Sequence, residues 1–176
     1  PKAVTKHRAA LLLAGLGGLG KAGDDWDGLR AMWVAHADLA AQAVARQHPD
    51  ETFYVLVFML EGLDGAMIAM NSLEATDIGP DERAGKFDDA AWSPYEWRDE
   101  SVDFHDPDGE NVRRYRALLD FAKDGSLQHR GAVEGRHDET IVQAALEVAE
   151  RARQGLGAFG SLKRADDFVV FVREHD

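Results

Sequence analysis

Eight consecutive residues, Phe53-Tyr-Val-Leu-Val-Phe-Met-Leu60, are all apolar or aromatic, and nothing else in the chain constrains its fold as tightly. Their β-branched and aromatic content reads as a buried strand and argues against a short helix. Gly62 to Gly65 then reads as a turn, and Ala66 to Met70 as the hairpin partner, which begins an antiparallel sheet.

A helix precedes this hairpin. Asp24 or Asp25 can cap it, and Trp26, Leu29, Trp33, Ala37, Ala40 and Val44 recur at three- and four-residue spacing until His48-Pro49 stops it. Thr5 to Ala14 reads as a short N-terminal helix ahead of a Gly-rich joint, Gly15 to Gly23. Beyond the hairpin, a short helix is expected near Leu73 to Ala84, a short strand at Ser101 to His105, and a strong turn at Asp106-Pro-Asp-Gly109. Val112, Tyr115, Leu118, Leu119 and Ala122 mark a helix ending near Gly125. A further helix is expected to start near Asp138 as its cap, with Ile141, Ala144, Ala145, Val148 and Ala152 as its apolar stripe before Gly155. Phe168 to Val172 closes the chain as a strand. The expected architecture is α+β: a mainly antiparallel sheet with helices packed against it. Residues 1–23 form the N-terminal helix and Gly-rich joint, and residues 24–176 one domain. Its core is expected to include Trp33, Phe53, Val55, Val57, Val148 and Phe168.

Charge is distributed unevenly. Residues 1–50 hold six Lys/Arg against five Asp/Glu, residues 51–110 hold three against sixteen, and residues 111–176 hold eleven against eleven. The central segment therefore carries a net charge of −13, against −12 for the whole chain of 176 residues. A single-sign segment beside two balanced ones can steer a cationic protein and repel nucleic acid. The bland alternative is a solvated acidic face.

The absence of Cys removes disulfides, zinc-thiolate sites and thiol chemistry. Ala9 to Leu19, after Lys2, Lys6 and Arg8, has the charge order of a secretory signal, but Gly15, Gly17 and Gly18 interrupt it. No run reaches the roughly twenty apolar residues of a membrane span, so a cytoplasmic protein is expected. Gly15-Leu-Gly-Gly-Leu-Gly20-Lys21 imitates a phosphate-binding loop, yet position 22 is Ala where magnesium needs a hydroxyl, and the next strand leads into a hairpin. Neither nucleotide nor other cofactor is expected. No H-E-x-x-H pair exists among the seven His residues. The acids around His105 miss a calcium-loop register, because Phe104 and Tyr115 occupy ligand positions. His129, His137 and Asp138 could be gathered by folding, but spacing alone assigns no catalytic or metal-binding residue. No Ser has a nucleophile-elbow context.

Trp92-Ser-Pro-Tyr-Glu-Trp97 sets two indoles and a phenol within an acidic stretch. Rings of this kind bury apolar area at an interface while flanking carboxylates complement Lys or Arg. The competing reading closes the core with Trp92 and Trp97. The candidate partner-binding residues are Trp92, Tyr95, Glu96, Trp97, Asp99, Glu100, Asp103 and Asp106.

Phe53 to Phe58, Ala66 to Asn71 followed by Ser72-Leu73-Glu74, the Trp-x-Pro-x-x-Trp stretch at 92–97, and Phe159-Gly160 with Phe168 to Val172 together resemble an uncharacterised family of small bacterial proteins from polymorphic toxin and immunity neighbourhoods. The resemblance covers about residues 50–176 and implies an α+β domain with an immunity or toxin-neutralising role. On that basis the leading expectation is an acidic immunity-type protein that binds and occludes a basic toxin domain, one acting on nucleic acid in particular. Its partner is a basic protein, with no direct nucleic-acid or membrane contact, and homo-oligomerisation is left open. The alternatives are a non-enzymatic regulatory or structural binding protein, and an enzyme whose active site is dispersed in sequence.

Overall fold

The computed structural model describes residues 26–60, 66–75, 97 and 127–174. Helix α1 runs Trp26–Gln47, strands β1 and β2 run Phe53–Leu60 and Ala66–Ser72, helix α2 runs Leu127–Gln154, a 3-10 turn spans Gly157–Gly160, and strand β3 runs Arg164–Glu174. The strand order is β2-β1-β3. The apolar run at 53–60 is the central strand, and all eight of its residues are buried, as a strand covered on both faces requires.

β1 pairs antiparallel with β2 and parallel with β3. The sheet is therefore mixed, and the expected mainly antiparallel sheet is corrected at β3. A parallel neighbour needs a long crossover, usually helical, and α2 supplies it: the chain returns from α2 to the end of the sheet where β1 begins, and the Phe53 amide donates to the Lys163 carbonyl at 2.9 Å.

The register shifts between Phe53 and Val55 against both neighbours. This bulge puts Tyr54 and Val55 on one side and changes which residues face the helices. Phe53, Leu56, Phe58 and Leu60 join Ile68 and Met70 beneath α1 and α2, while Tyr54, Val55, Val57 and Met59 form a second cluster with Ala69 and Trp97 on the opposite face.

The stripe expected on α1 is buried from Leu29 to Val44, with Trp26 packed at its margin. Trp33 meets Phe58 edge-on at 6.3 Å. Ala37, Ala40, Ala41 and Val44 are fully buried, as are Ile141, Ala144 and Val148 of α2, and such small side chains let two helices approach closely. Among the expected core residues, Trp33, Phe53, Val55, Val57 and Val148 are buried and Phe168 packs half-buried against them.

Several boundaries differ from expectation. α2 begins at Leu127, so Asp138 lies inside it and is no N-cap; Val133 and His137 extend the Ile141 stripe backward at four-residue steps, and both are buried. Gly131 and Gly135 are tolerated there, with nothing within 4 Å of where a side chain would project. β3 extends beyond the expected Phe168–Val172 at both ends. Leu73 to Ala75 is a turn rather than the start of the expected helix. The remainder of that expected helix, the N-terminal helix and Gly-rich joint, the Ser101–His105 strand and the helix from Val112 lie outside the described residues.

Candidate functional site

Trp97 connects the aromatic segment to the fold. Only 3 % exposed, it joins Tyr54, Val55, Val57, Met59 and Ala69 on the sheet face opposite the helices. Its indole is therefore core. Trp92, Tyr95, Glu96, Asp99, Glu100, Asp103 and Asp106, the other candidate partner-binding residues, lie outside the described residues.

Beside this cluster, Asn71 is fully buried on β2 and donates from Nδ2 to the Tyr54 hydroxyl at 3.0 Å, while its Oδ1 accepts from the Ser72 amide at 3.0 Å. A buried amide is stable only when so satisfied. The bulge at Tyr54 brings the phenol to this position.

A polar cluster closes the same end of the sheet. Ser72 Oγ donates to Glu51 Oε2 at 2.5 Å and accepts from the Ala75 amide at 3.1 Å, and His48 Nδ1 lies 3.2 Å from Glu51 Oε1. Glu74 Oε2 accepts from the Thr52 amide at 2.7 Å, and Lys163 Nζ donates to the Asp50 carbonyl at 2.9 Å. Burial works to raise the Glu74 pKa, but backbone and hydroxyl hydrogen bonds at Thr52 and the Lys163 charge together hold it below its ordinary 4.5. Ser, carboxylate and imidazole are all present, yet the carboxylate sits between the other two, whereas nucleophilic relays place the imidazole next to the hydroxyl. Ser72 is also fully buried. The cluster fixes the turn after β2 and carries no nucleophile.

On the helix side, Asp38 Oδ1 accepts from the Ala158 amide at 2.9 Å and faces Arg151 Nη2 at 3.5 Å, clamping α1 to the end of α2. α2 ends in a Schellman motif: Leu156 N donates to Arg151 O at 2.9 Å and Gly155 N to Ala152 O at 3.1 Å, with Gly155 at φ 65°. Arg164 also donates to the Ala152 carbonyl, placing a cation where the helix dipole favours one. A cavity of about 310 Å³ lies between this helix end and the start of β3, lined in part by Arg153, Arg164 and Asp166.

His137 is fully buried, with Nδ1 3.1 Å from Asp138 Oδ1. The side chain of His129 lies outside the described residues, and so does the question of whether folding gathers it with His137 and Asp138. Among the described residues, no three His, Asp or Glu side chains converge as a metal site, and no helix is long and apolar enough to cross a membrane.

The cluster of His48, Glu51, Ser72 and Glu74 escapes sequence reasoning. Its one local signal is Ser72 at a strand end followed by Glu74, a turn-forming pattern; Glu51 and His48 join it only through the pairing of β1 with β2. No protein-family model, curated protein or solved structure matches the chain.

Proposed function

We propose that this protein is an immunity-type binder that occludes a basic toxin domain, with a nucleic-acid-acting toxin as the leading class. The net charge of −13 between residues 51 and 110 carries the reading. A toxin that grips nucleic acid presents a cationic surface to do so, and a concentrated acidic segment complements that surface while being repelled by the substrate itself. Trp97 is buried in the core and is not an anchor, whereas Glu96, Asp99 and Glu100 stand within three residues of it in sequence. Trp92 and Tyr95 remain the aromatic anchors, and Asp103 and Asp106 extend the charge pairing. The protein stays in the cytoplasm, where such a toxin would act.

The experiment adds purified protein to a basic nuclease toxin from its own genomic neighbourhood and measures cleavage together with complex formation. The expected result is a one-to-one complex, loss of cleavage at stoichiometric addition, and faster dissociation when Trp92 or Tyr95 is truncated to Ala. Cleavage that persists at saturation overturns immunity, and a complex unchanged by Asp99→Asn with Glu100→Gln overturns the acidic interface.

A further inference from the structure

The ladder between β1 and β3 is interrupted by a long excursion. Phe53 stands opposite Arg164 and Val55 opposite Val169, so a two-residue step on β1 is matched by a five-residue step on β3. The surplus residues, Ala165 to Phe168, cannot all pair with β1, and a strand bends where it carries such a surplus. The cavity of about 310 Å³ at the end of α2 lies against this excursion: Ala165, Asp166 and Phe168 are on its wall, together with Ala149 and Ala152 of α2. Irregularities of this kind recur beside functional sites, where they re-aim side chains. The volume is at the small end of ligand pockets, roughly 300–1,000 Å³, which suits an amino acid better than a nucleotide.

The lining is divided in chemistry. Phe168 and Val170 pack half-buried against the helix-side core and form an apolar wall with the two alanines of α2. Three charged groups line the cavity as well, and they are not equally available. Arg153 holds Glu150 through Nε and Nη2, at 2.8 and 2.6 Å, so its charge is already matched. Arg164 is fixed by donating from Nη1 to the neutral Ala152 carbonyl, which leaves its charge unmatched. Its Nε is buried with no acceptor, an uncommon condition for a donor in a folded chain, and a guanidinium edge carrying two donors takes a carboxylate in bidentate fashion. Asp166 is exposed and stands two positions along the strand, about 7 Å away at ~3.3 Å per residue. Among the described residues no ion pair joins it to Arg164. A fixed guanidinium and a carboxylate at that spacing, beside an apolar wall, are the complement of a zwitterion with an apolar side chain.

We propose that this cavity binds a free amino acid with an aliphatic side chain, its α-carboxylate on Arg164, its α-ammonium on Asp166 and its side chain against Phe168, Val170 and the alanines of α2. Both charges of the ligand matter, because a molecule carrying only one leaves the other protein group without a partner in a partly desolvated site. Fixing Arg164 at the helix end in advance lowers the ordering cost of binding. The site draws no residue from the segment 51–110 and is independent of the toxin-binding reading.

Isothermal titration of the full chain with L-leucine tests it, alongside isocaproate, which lacks the ammonium, isoamylamine, which lacks the carboxylate, and glycine, which lacks the side chain. The expected result is saturable binding of leucine at one site per chain, with each of the three analogues weaker by roughly tenfold or more. Amide shifts in nuclear magnetic resonance are expected at residues 149–153 and 164–170. Asp166→Asn should weaken leucine by roughly tenfold and leave isocaproate unchanged, a selective effect that a folding defect does not produce. Arg164 also caps α2, so its removal is a poor test; Ala149→Leu instead fills the cavity from the helix side and is expected to abolish binding with the circular dichroism retained. No saturable binding, isocaproate or isoamylamine held as tightly as leucine, shifts confined to other segments, or a leucine affinity unchanged by both Asp166→Asn and Ala149→Leu overturns the proposal.

Discussion

At the scale of single residues, the junction of α1 with the end of α2 rests on one carboxylate and one missing side chain. Gly157 has φ 60°, and a methyl there would collide with Asp38 Oδ1 and stand 2.9 Å from Arg151 Nη2. Gly157→Ala is therefore expected to cost about 1–3 kcal/mol in denaturant unfolding, from left-handed strain plus the displaced Asp38. Asp38→Ala leaves the Ala158 amide without its acceptor and should cost about 1–2 kcal/mol; Asp38→Asn, which keeps an oxygen acceptor, should cost less. Glu74 gives a pH signature. Its folded pKa is depressed, so its contribution is fully present above the unfolded value of 4.5 and is lost as pH falls through the lower folded value. Glu74→Gln should flatten the acid limb of a stability-versus-pH curve in that window and leave its neutral limb parallel to wild type. Glu150 is pulled lower still, to about 2, by hydrogen bonds from Arg153 and Gln154, but it is fully exposed and water screens what the pairing contributes. The Glu150 pairs follow from helical spacing, but the Asp38 contacts are not legible in the sequence. Asp38 and Ala158 are 120 residues apart, and only folding brings them together.

At the scale of elements, apolar pattern is the readable signal, and it fails where pattern says nothing. β1 is evident because eight unbroken apolar residues suit a strand buried on both faces, and the α1 stripe because a regular three-four spacing follows the helical period. The direction of β3 has no local signature: Phe168 to Val172 reads the same whether it runs with β1 or against it, and the crossover through α2 decides. The start of α2 is misplaced by pattern alone because Asp138 has the chemistry of a cap, while the buried Val133 and His137 extend the stripe in front of it. The bulge at Tyr54/Val55 is likewise invisible, since every residue around it is apolar. β1 being covered on both faces, Val57→Ala, on the Trp97 side, and Leu56→Ala, on the helix side, should both destabilise. The expected losses are about 1–3 kcal/mol for Val57 and about 2–5 kcal/mol for Leu56, read from chemical denaturation midpoints at unchanged slope. A negligible loss at Val57 would mean that the Trp97 side collapses around the missing methyls.

At the scale of the whole molecule, the question is whether net charge or its placement governs association with a basic partner. The chain has a pI near 4.9, so any cationic protein feels some attraction, and salt sensitivity alone would not distinguish a directed surface from a general one. Two double substitutions change the total charge equally. Asp99→Asn with Glu100→Gln removes two charges within the acidic segment. Glu139→Gln with Glu147→Gln removes two from exposed positions on α2, within residues 111–176, where acids and bases balance. Charges more than about 8–10 Å from a docking partner are largely screened at physiological salt, so only the first pair should matter at close approach. Stopped-flow association with the basic toxin domain is expected to slow several-fold for the first variant and little for the second, and the gap should close as ionic strength rises. Dissociation should change less than association in both, because exposed charges act mainly on encounter. Equal slowing by the two variants would assign the effect to overall charge and remove the acidic segment as a recognition surface.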